Sequence, residues 1–406
     1  MDFSYQIILL AGVLSLLAVL AGFASVRIGT PLLLALIGVG ILAGEDGPGG
    51  IRFDNFQIGY LIGSLSLAVI LFQGGISTTR GMLRGALWPS VTLATLGVAI
   101  SACVIGLAAV LLLHTSWPQG LLLGAATAPT DAAAVVVLLR FSGVSVPDRV
   151  KAALELESGL NDPMSVFLTL ALVQWLRTPT HLGLVREAWM FLWQMGGGAA
   201  FGLAGGYILL WAFQRLRLRR STFPLLALGI ALTVFGGTEL AGASGFLAVY
   251  LTGMVIGNYE HPAALPVSRF FETLGWLAQN ALFLMLGLLI TPHRLLPLLG
   301  PALMISAVLV VIARPLAVAV SLTPFRWKAR ESAFIAWAGL RGGVPIYLTI
   351  IPLLQGLAFG RQLFEVVFVV VVVSVAVQGT TVKPVAKLLG LHGNPSTSPP
   401  LLEETD

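Results

Sequence analysis

Gly339-Leu340-Arg341-Gly342-Gly343-Val344-Pro345 interrupts an apolar run, 331–355, that is long enough to cross a bilayer. Paired glycines and a proline break an α-helix and free backbone carbonyls and amides. At membrane depth, irregular backbone is tolerated only against protein or around a water-filled cavity. A second run, 119–139, is interrupted at a similar depth by Ala128-Pro129-Thr130-Asp131. Either break alone reads as a proline kink in an ordinary packing helix. The pair reads differently, because each carries a charge and the two runs point in opposite directions. Two interrupted helices at corresponding places in two halves are the signature of inverted-topology repeats. The half-helix dipoles then meet at the midplane, Asp131 facing positive ends and Arg341 facing negative ends.

The rest of the chain fits this frame. Hydrophobic residues make up 57% of the 406 and charged residues 10%, against about a quarter charged in a soluble domain. The pattern predicts an all-α polytopic membrane protein with about thirteen transmembrane helices. They fall near 4–22, 31–43, 58–76, 90–113, 119–139, 150–176, 187–214, 222–237, 242–257, 271–290, 297–321, 331–355 and 363–389. Loop arginines and lysines concentrate on one side, at Arg80, Arg84, Arg149, Lys151, Arg215 to Arg220 and Arg326 to Arg330. That side is cytoplasmic by the positive-inside rule, so the N-terminus is outside and the C-terminus cytoplasmic. The cluster Arg215 to Arg220 could hold anionic lipid or a nucleotide, but reads first as an inside anchor. The net charge of +5 therefore belongs to membrane orientation and not to nucleic acid.

The single cysteine, Cys103, excludes a disulfide framework and a cysteine metal cluster, and reads as packing. Five histidines (114, 181, 261, 293, 392) show no ligand spacing. No cofactor is implied. No cleavable signal is evident ahead of the first apolar run. Residues 391–406, rich in proline, serine and acid, read as a disordered cytoplasmic tail too short for a further domain.

Of the remaining intramembrane charges, Arg314 lies in the run 297–321, and Glu157 and Asp162 lie in the run 150–176, at Glu157-Ser158-Gly159-Leu160-Asn161-Asp162-Pro163. A carboxylate there costs about 2.5–3.5 kcal/mol on insertion scales, so its default reading is functional. On a helix Ser158 and Asp162 share a face, with Asn161 beside them. The face offers hard oxygen ligands for a small cation, and Asp162 can instead take a proton. At a rise of about 1.5 Å per residue, Asp162 lies about 18 Å in, near the middle of a ~30 Å core. Asp131 reaches a similar level. Glu157 and Arg314 are each about 10 Å deep on the same side. An acid and a base at equal depth pair, as a structural salt bridge or as a gate that breaks.

At these residues the chain resembles the monovalent cation/proton antiporter family of bacterial NhaP-type and animal sodium/proton exchangers. Glu157-Ser158-x-x-Asn161-Asp162 is similar to its ion-site motif. Pro129-Thr130-Asp131 and Gly339-Leu340-Arg341-Gly342 resemble its two unwound helices, and Arg314 its glutamate-pairing arginine. The stretch Leu42 to Gly50 resembles, at loop level, the bacterial potassium/proton branch (CvrA-like). The resemblance implies a multi-pass protein of the bacterial inner membrane that exchanges potassium, with sodium as the alternative, for protons. It also implies a homodimer, with a dimerisation bundle at about 1–89 and 188–291. An ion-translocating core at about 90–187 and 297–390 would move elevator fashion. Exchange would be electroneutral, since Asn161-Asp162 replaces two adjacent aspartates. The ligands would be Asp162, Ser158 and the Thr130 carbonyl, with Asn161 placing Asp162. Relatives on that branch carry cytoplasmic regulatory domains beyond the membrane part, which are expected to be missing here.

Rival readings are weaker. A channel or an organic-anion carrier would not need a free midplane acid. An intramembrane enzyme would need a nucleophile beside a base or a metal, and no span places a histidine near serine, cysteine or a second acid.

Overall fold

The computed structural model describes residues 12–13, 15–23, 31–141, 144, 146–178, 183–216 and 219–391. The expected first span falls partly outside that set, and the tail 392–406 wholly so. Among the described residues all regular structure is helical, and eight helical stretches, one of them running through the break at 128–131, are long and apolar enough to cross a membrane.

Residues 15–23 are helical. Then come α1 (Leu32–Ala43), α2 (Phe56–Ser77), α3 (Arg80–Leu113), α4 (Trp117–Thr127), α5 (Ala132–Phe141) and α6 (Asp148–Arg177). They are followed by α7 (Leu184–Arg215), α8 (Phe223–Leu240), α9 (Gly245–Asn258) and α10 (Ala264–Leu289). The last are α11 (Pro292–Phe325), α12 (Ala329–Trp337), α13 (Gly343–Leu354) and α14 (Gly360–Leu388). Three apolar helices, α1, α9 and α13, fall short of a full crossing. The 30-residue α6, about 45 Å long, has the length but is too polar to stand among the eight.

Two features depart from the sequence reading. The span expected at 90–113 begins at Arg80, so Arg84 sits on a helix and not in a loop. Thr79 explains the early start, because its hydroxyl accepts the Met82 N–H at 3.4 Å and caps the helix. Cys103 is exposed on α3 and is not packed inside. Both long helices also carry a π turn, Leu93–Gly97 in α3 and Leu309–Ala313 in α11. The second is followed by Arg314 and Pro315, and proline has no N–H to return to the carbonyl one turn back.

Packing divides the helices into two sets. In one, α2 lies against α9 and α10, α9 against α7, and α1 against α10. A Cβ on Gly75 would sit 2.9 Å from the Met254 nitrogen, so glycine is what lets α2 and α9 meet backbone to backbone. In the other set, α3 packs on α4 and α6, and α14 on α11 and α13. α13 also reaches back to the first set, where the Tyr347 hydroxyl lies 2.9 Å from Ser64 Oγ on α2.

Candidate ion-binding site

The gaps between α4 and α5 and between α12 and α13 cross each other. The Asp131 N–H donates to the Leu340 carbonyl at 2.7 Å, a single rung between two interrupted helices. Arg341, only 1% exposed, donates through Nη1 to the carbonyls of Ala128 (2.8 Å) and Pro129 (3.2 Å). Those groups form the C-terminal, negative end of α4. Asp131 serves the opposite pole, its Oδ1 accepting the Ala134 N–H of α5 at 3.0 Å. A Cβ on Gly342 would lie 2.7 Å from the Asp131 Cβ, so only glycine fits there without moving the carboxylate.

Backbone groups freed at the second break are taken up by α14. Gln378 Nε2 donates to the Trp337 carbonyl at 2.8 Å, and Ser374 Oγ accepts the Arg341 N–H at 2.9 Å. Ser374 in turn donates to Gln378 Oε1 at 2.5 Å. The Trp337 carbonyl and the Arg341 N–H, both freed by the break, thereby gain partners.

α6 passes alongside. Ser158 Oγ donates to the Thr130 carbonyl at 2.8 Å and accepts the Ala132 N–H at 3.3 Å. Asn161 Nδ2 donates to Thr130 Oγ1 at 2.8 Å. Ser158 and Asn161 are thus each bonded to Thr130, one through its carbonyl and the other through its hydroxyl, and a cation would meet the lone pairs left over on the Ser158 hydroxyl and the Thr130 carbonyl. Asp162 is 7% exposed, and its Oδ1, like Asn161 Oδ1, is buried with no hydrogen-bond partner among the described residues. Pro163, the next residue, has no N–H, which leaves the Gly159 carbonyl without its helical partner.

Glu157 is held apart from this group. Arg314 Nη1 and Nη2 both donate to it, the second at 2.9 Å, and Nη2 also reaches the Ile335 carbonyl at 3.3 Å. The ion pair ties α6 to α11 and to the last turn of α12. Sequence reasoning stops at Asp162, whereas the polar stripe continues along α6 with Ser165 and Thr169. Both are fully buried, and neither hydroxyl has a partner among the described residues. Their spacing of four from Asn161 is the signal that could have found them. Such groups are normally satisfied by water or an ion.

The profile of the family described as sodium/hydrogen exchanger, transmembrane, matches residues 13–388. The chain belongs to that family, whose members are monovalent cation/proton antiporters, transporters and not enzymes. It is similar to the K(+)/H(+) antiporter NhaP of Alkalimonas amylolytica, 46% identical over 389 residues, covering 95% of this chain and 67% of that one. It is also similar to the K(+)/H(+) antiporter NhaP2 of Shewanella sp. (strain ANA-3), 41% identical over 394 residues, with 96% and 68% covered. In fold it is similar to the sodium proton antiporter MjNhaP1 of Methanocaldococcus jannaschii. The TM-score is 0.83 at 24% identity, over 95% of this chain and 100% of that one.

Proposed function

We propose that this protein exchanges a monovalent cation for protons by competition at the carboxylate of Asp162. The observation that carries the reading is a buried acid oxygen without a partner among the described residues. It lies beside a crossing where Asp131 accepts the Ala134 N–H and the Arg341 guanidinium is bonded through Nη1 alone, its Nε and Nη2 having no partner among those residues. With a proton or a cation on it, Asp162 is close to neutral and can move. The bare anion is expensive to carry through a low-dielectric interior, so the empty carrier stays put. Coupling then needs no second site, and one charge replaces one charge, which makes exchange electroneutral. Ser158 and the Thr130 carbonyl complete the ligand set, Asn161 positions Asp162, and the Glu157–Arg314 pair is structural.

Potassium is the favoured cation, supported by the two relatives named K(+)/H(+) antiporters. Sodium is the second reading, supported by the family as a whole, which is described as a sodium/hydrogen exchanger. The architecture we infer has about thirteen crossings in the bacterial inner membrane, N-terminus outside and C-terminus cytoplasmic. Its inverted repeats are supported by a shared plan, a long helix with one π turn (α3, α11) followed by a broken one. The two packing sets support a division into a dimerisation bundle (about 1–89 and 188–291) and a moving core (about 90–187 and 297–390) in a homodimer.

The test is dequenching of a pH-sensitive dye in proteoliposomes, titrated in turn with potassium, sodium, lithium and choline chloride. Half-maximal response at the lowest concentration with potassium is expected. Preference for sodium would overturn the ion assignment alone, and no response to any of the three metal ions would overturn antiport.

A further inference from the structure

A cavity of about 280 Å³ opens where the first turns of α3, the first turn of α6 and the turn joining α11 to α12 come together. Among the described residues its charged lining is two arginines, Arg84 and Arg149, with no acid. Trp88, Trp327, Leu87 and Phe325 supply apolar walls. Arg149 lies 4.3 Å above the Trp327 ring and donates to Glu331 at 2.6 Å, which holds its guanidinium in place. Arg84 is exposed and, among the described residues, makes no ion pair or hydrogen bond. Arg84 and Trp88 stand four apart and share a face of α3.

These features call for a phosphate-bearing ligand that also has an apolar end. Two guanidinium forks match phosphate oxygens; Arg84 is free to offer the whole of its fork, while Arg149 gives Nη2 to Glu331 and has its other N–H groups left for the ligand. The volume is near the lower bound of small-ligand sites, ~300 Å³, so it admits a headgroup and not a whole lipid. Trp88 is 68% exposed on a helix apolar enough to span the membrane, the setting in which tryptophan sits at headgroup level. A free phosphate would use the arginines and leave the aromatic wall unexplained. We propose that this cavity binds the phosphodiester of an anionic phospholipid, with Arg84 and Arg149 on the phosphate and Trp88 and Trp327 against the glycerol. The lipid would bridge α3, α6 and the α11–α12 turn, and the assignment is independent of the ion-exchange reading.

The experiment uses the full chain in neutral detergent, following thermal unfolding during titration with phosphatidylglycerol, phosphatidylcholine or inorganic phosphate. Phosphatidylglycerol is expected to raise the midpoint, and the other two to leave it unchanged. Arg84→Gln should weaken the phosphatidylglycerol response roughly tenfold, the loss of one charge-assisted contact. Arg84→Gln/Arg149→Gln should abolish it, while Arg215→Gln/Arg219→Gln/Arg220→Gln keeps it. Arg149 pairs with Glu331, so its loss could impair folding. Arg84→Gln breaks no such pair and decides the matter alone. An undiminished response in Arg84→Gln, or equal stabilisation by phosphatidylcholine or inorganic phosphate, would overturn the proposal.

Discussion

Replacing Glu157 by glutamine tests how the buried ion pair acts. Glu157 is 1% exposed and Arg314 3%, so neither charge has water to fall back on. In the variant the guanidinium keeps the Ile335 carbonyl at 3.3 Å and one amide oxygen, while its Nε has no partner among the described residues. Removing one member of such a pair costs about 3–5 kcal/mol, because the other stays behind as an uncompensated charge. That is roughly a thousandfold change in the folded-to-unfolded ratio. The double variant Glu157→Leu/Arg314→Met removes both charges and should recover most of the loss, since apolar replacement of a whole buried pair is often neutral. The assay is chemical or thermal unfolding in detergent of wild type, both single variants and the double variant. Wild-type stability in Glu157→Gln would refute the reasoning, as would a double variant no more stable than the single ones. A gate would instead show altered exchange rates with stability intact.

Gly342→Ala should lose about 1–3 kcal/mol and slow exchange, because its Cβ would press on Asp131, whereas Gly300→Ala, which meets nothing within 4 Å, should change neither. Equal melting of the two variants would contradict the crowding at the crossing. Ser165→Ala and Thr169→Val remove buried hydroxyls that have no partner among the described residues, so both should match or exceed wild-type stability while raising the cation concentration for half-maximal exchange. A clear drop in melting temperature, or an unchanged cation dependence, would make them packing residues. At the membrane surface, the His293 N–H donates to Asp46 at 2.9 Å and holds that carboxyl below its usual value of 3.8. A depressed acid stabilises above its unfolded pKa and loses that contribution as pH falls through the folded value, so the turn at 44–51 should hold from pH 8 to 5 and open only below about 4. Hydrogen exchange that already rises on going from pH 8 to 6 would show that the carboxylate is not what anchors it.

What could be read from the chain and what could not divides by range. Proline and glycine inside an apolar run mark a break locally, so Pro129 and Gly342–Pro345 are visible without any partner. Depth is local too, since rise per residue sets Glu157 and Arg314 level. Partners across the fold are another matter. Nothing in the valine-rich run of α14 says that Gln378 answers the Trp337 carbonyl, or that Ser374 receives the Arg341 N–H. Nor does composition reveal that the Thr130 carbonyl is already bonded to Ser158, which alters what either can offer a cation. The π turn in α3 has no sequence mark, while the one in α11 has only Pro315. Charge alone makes Arg80 and Arg84 look like a loop boundary, but the Thr79 cap begins the helix before the apolar run does.

The competition claim is tested most directly by proton release on binding. Purified protein in weak buffer receives potassium or sodium chloride at constant ionic strength, and the pH is followed beside an Asp162→Asn variant shown to be folded. A proton released for each cation bound by wild type, and none by the variant, is the expected result. Cation binding without proton release, or release of the same size from Asp162→Asn, would contradict the mechanism.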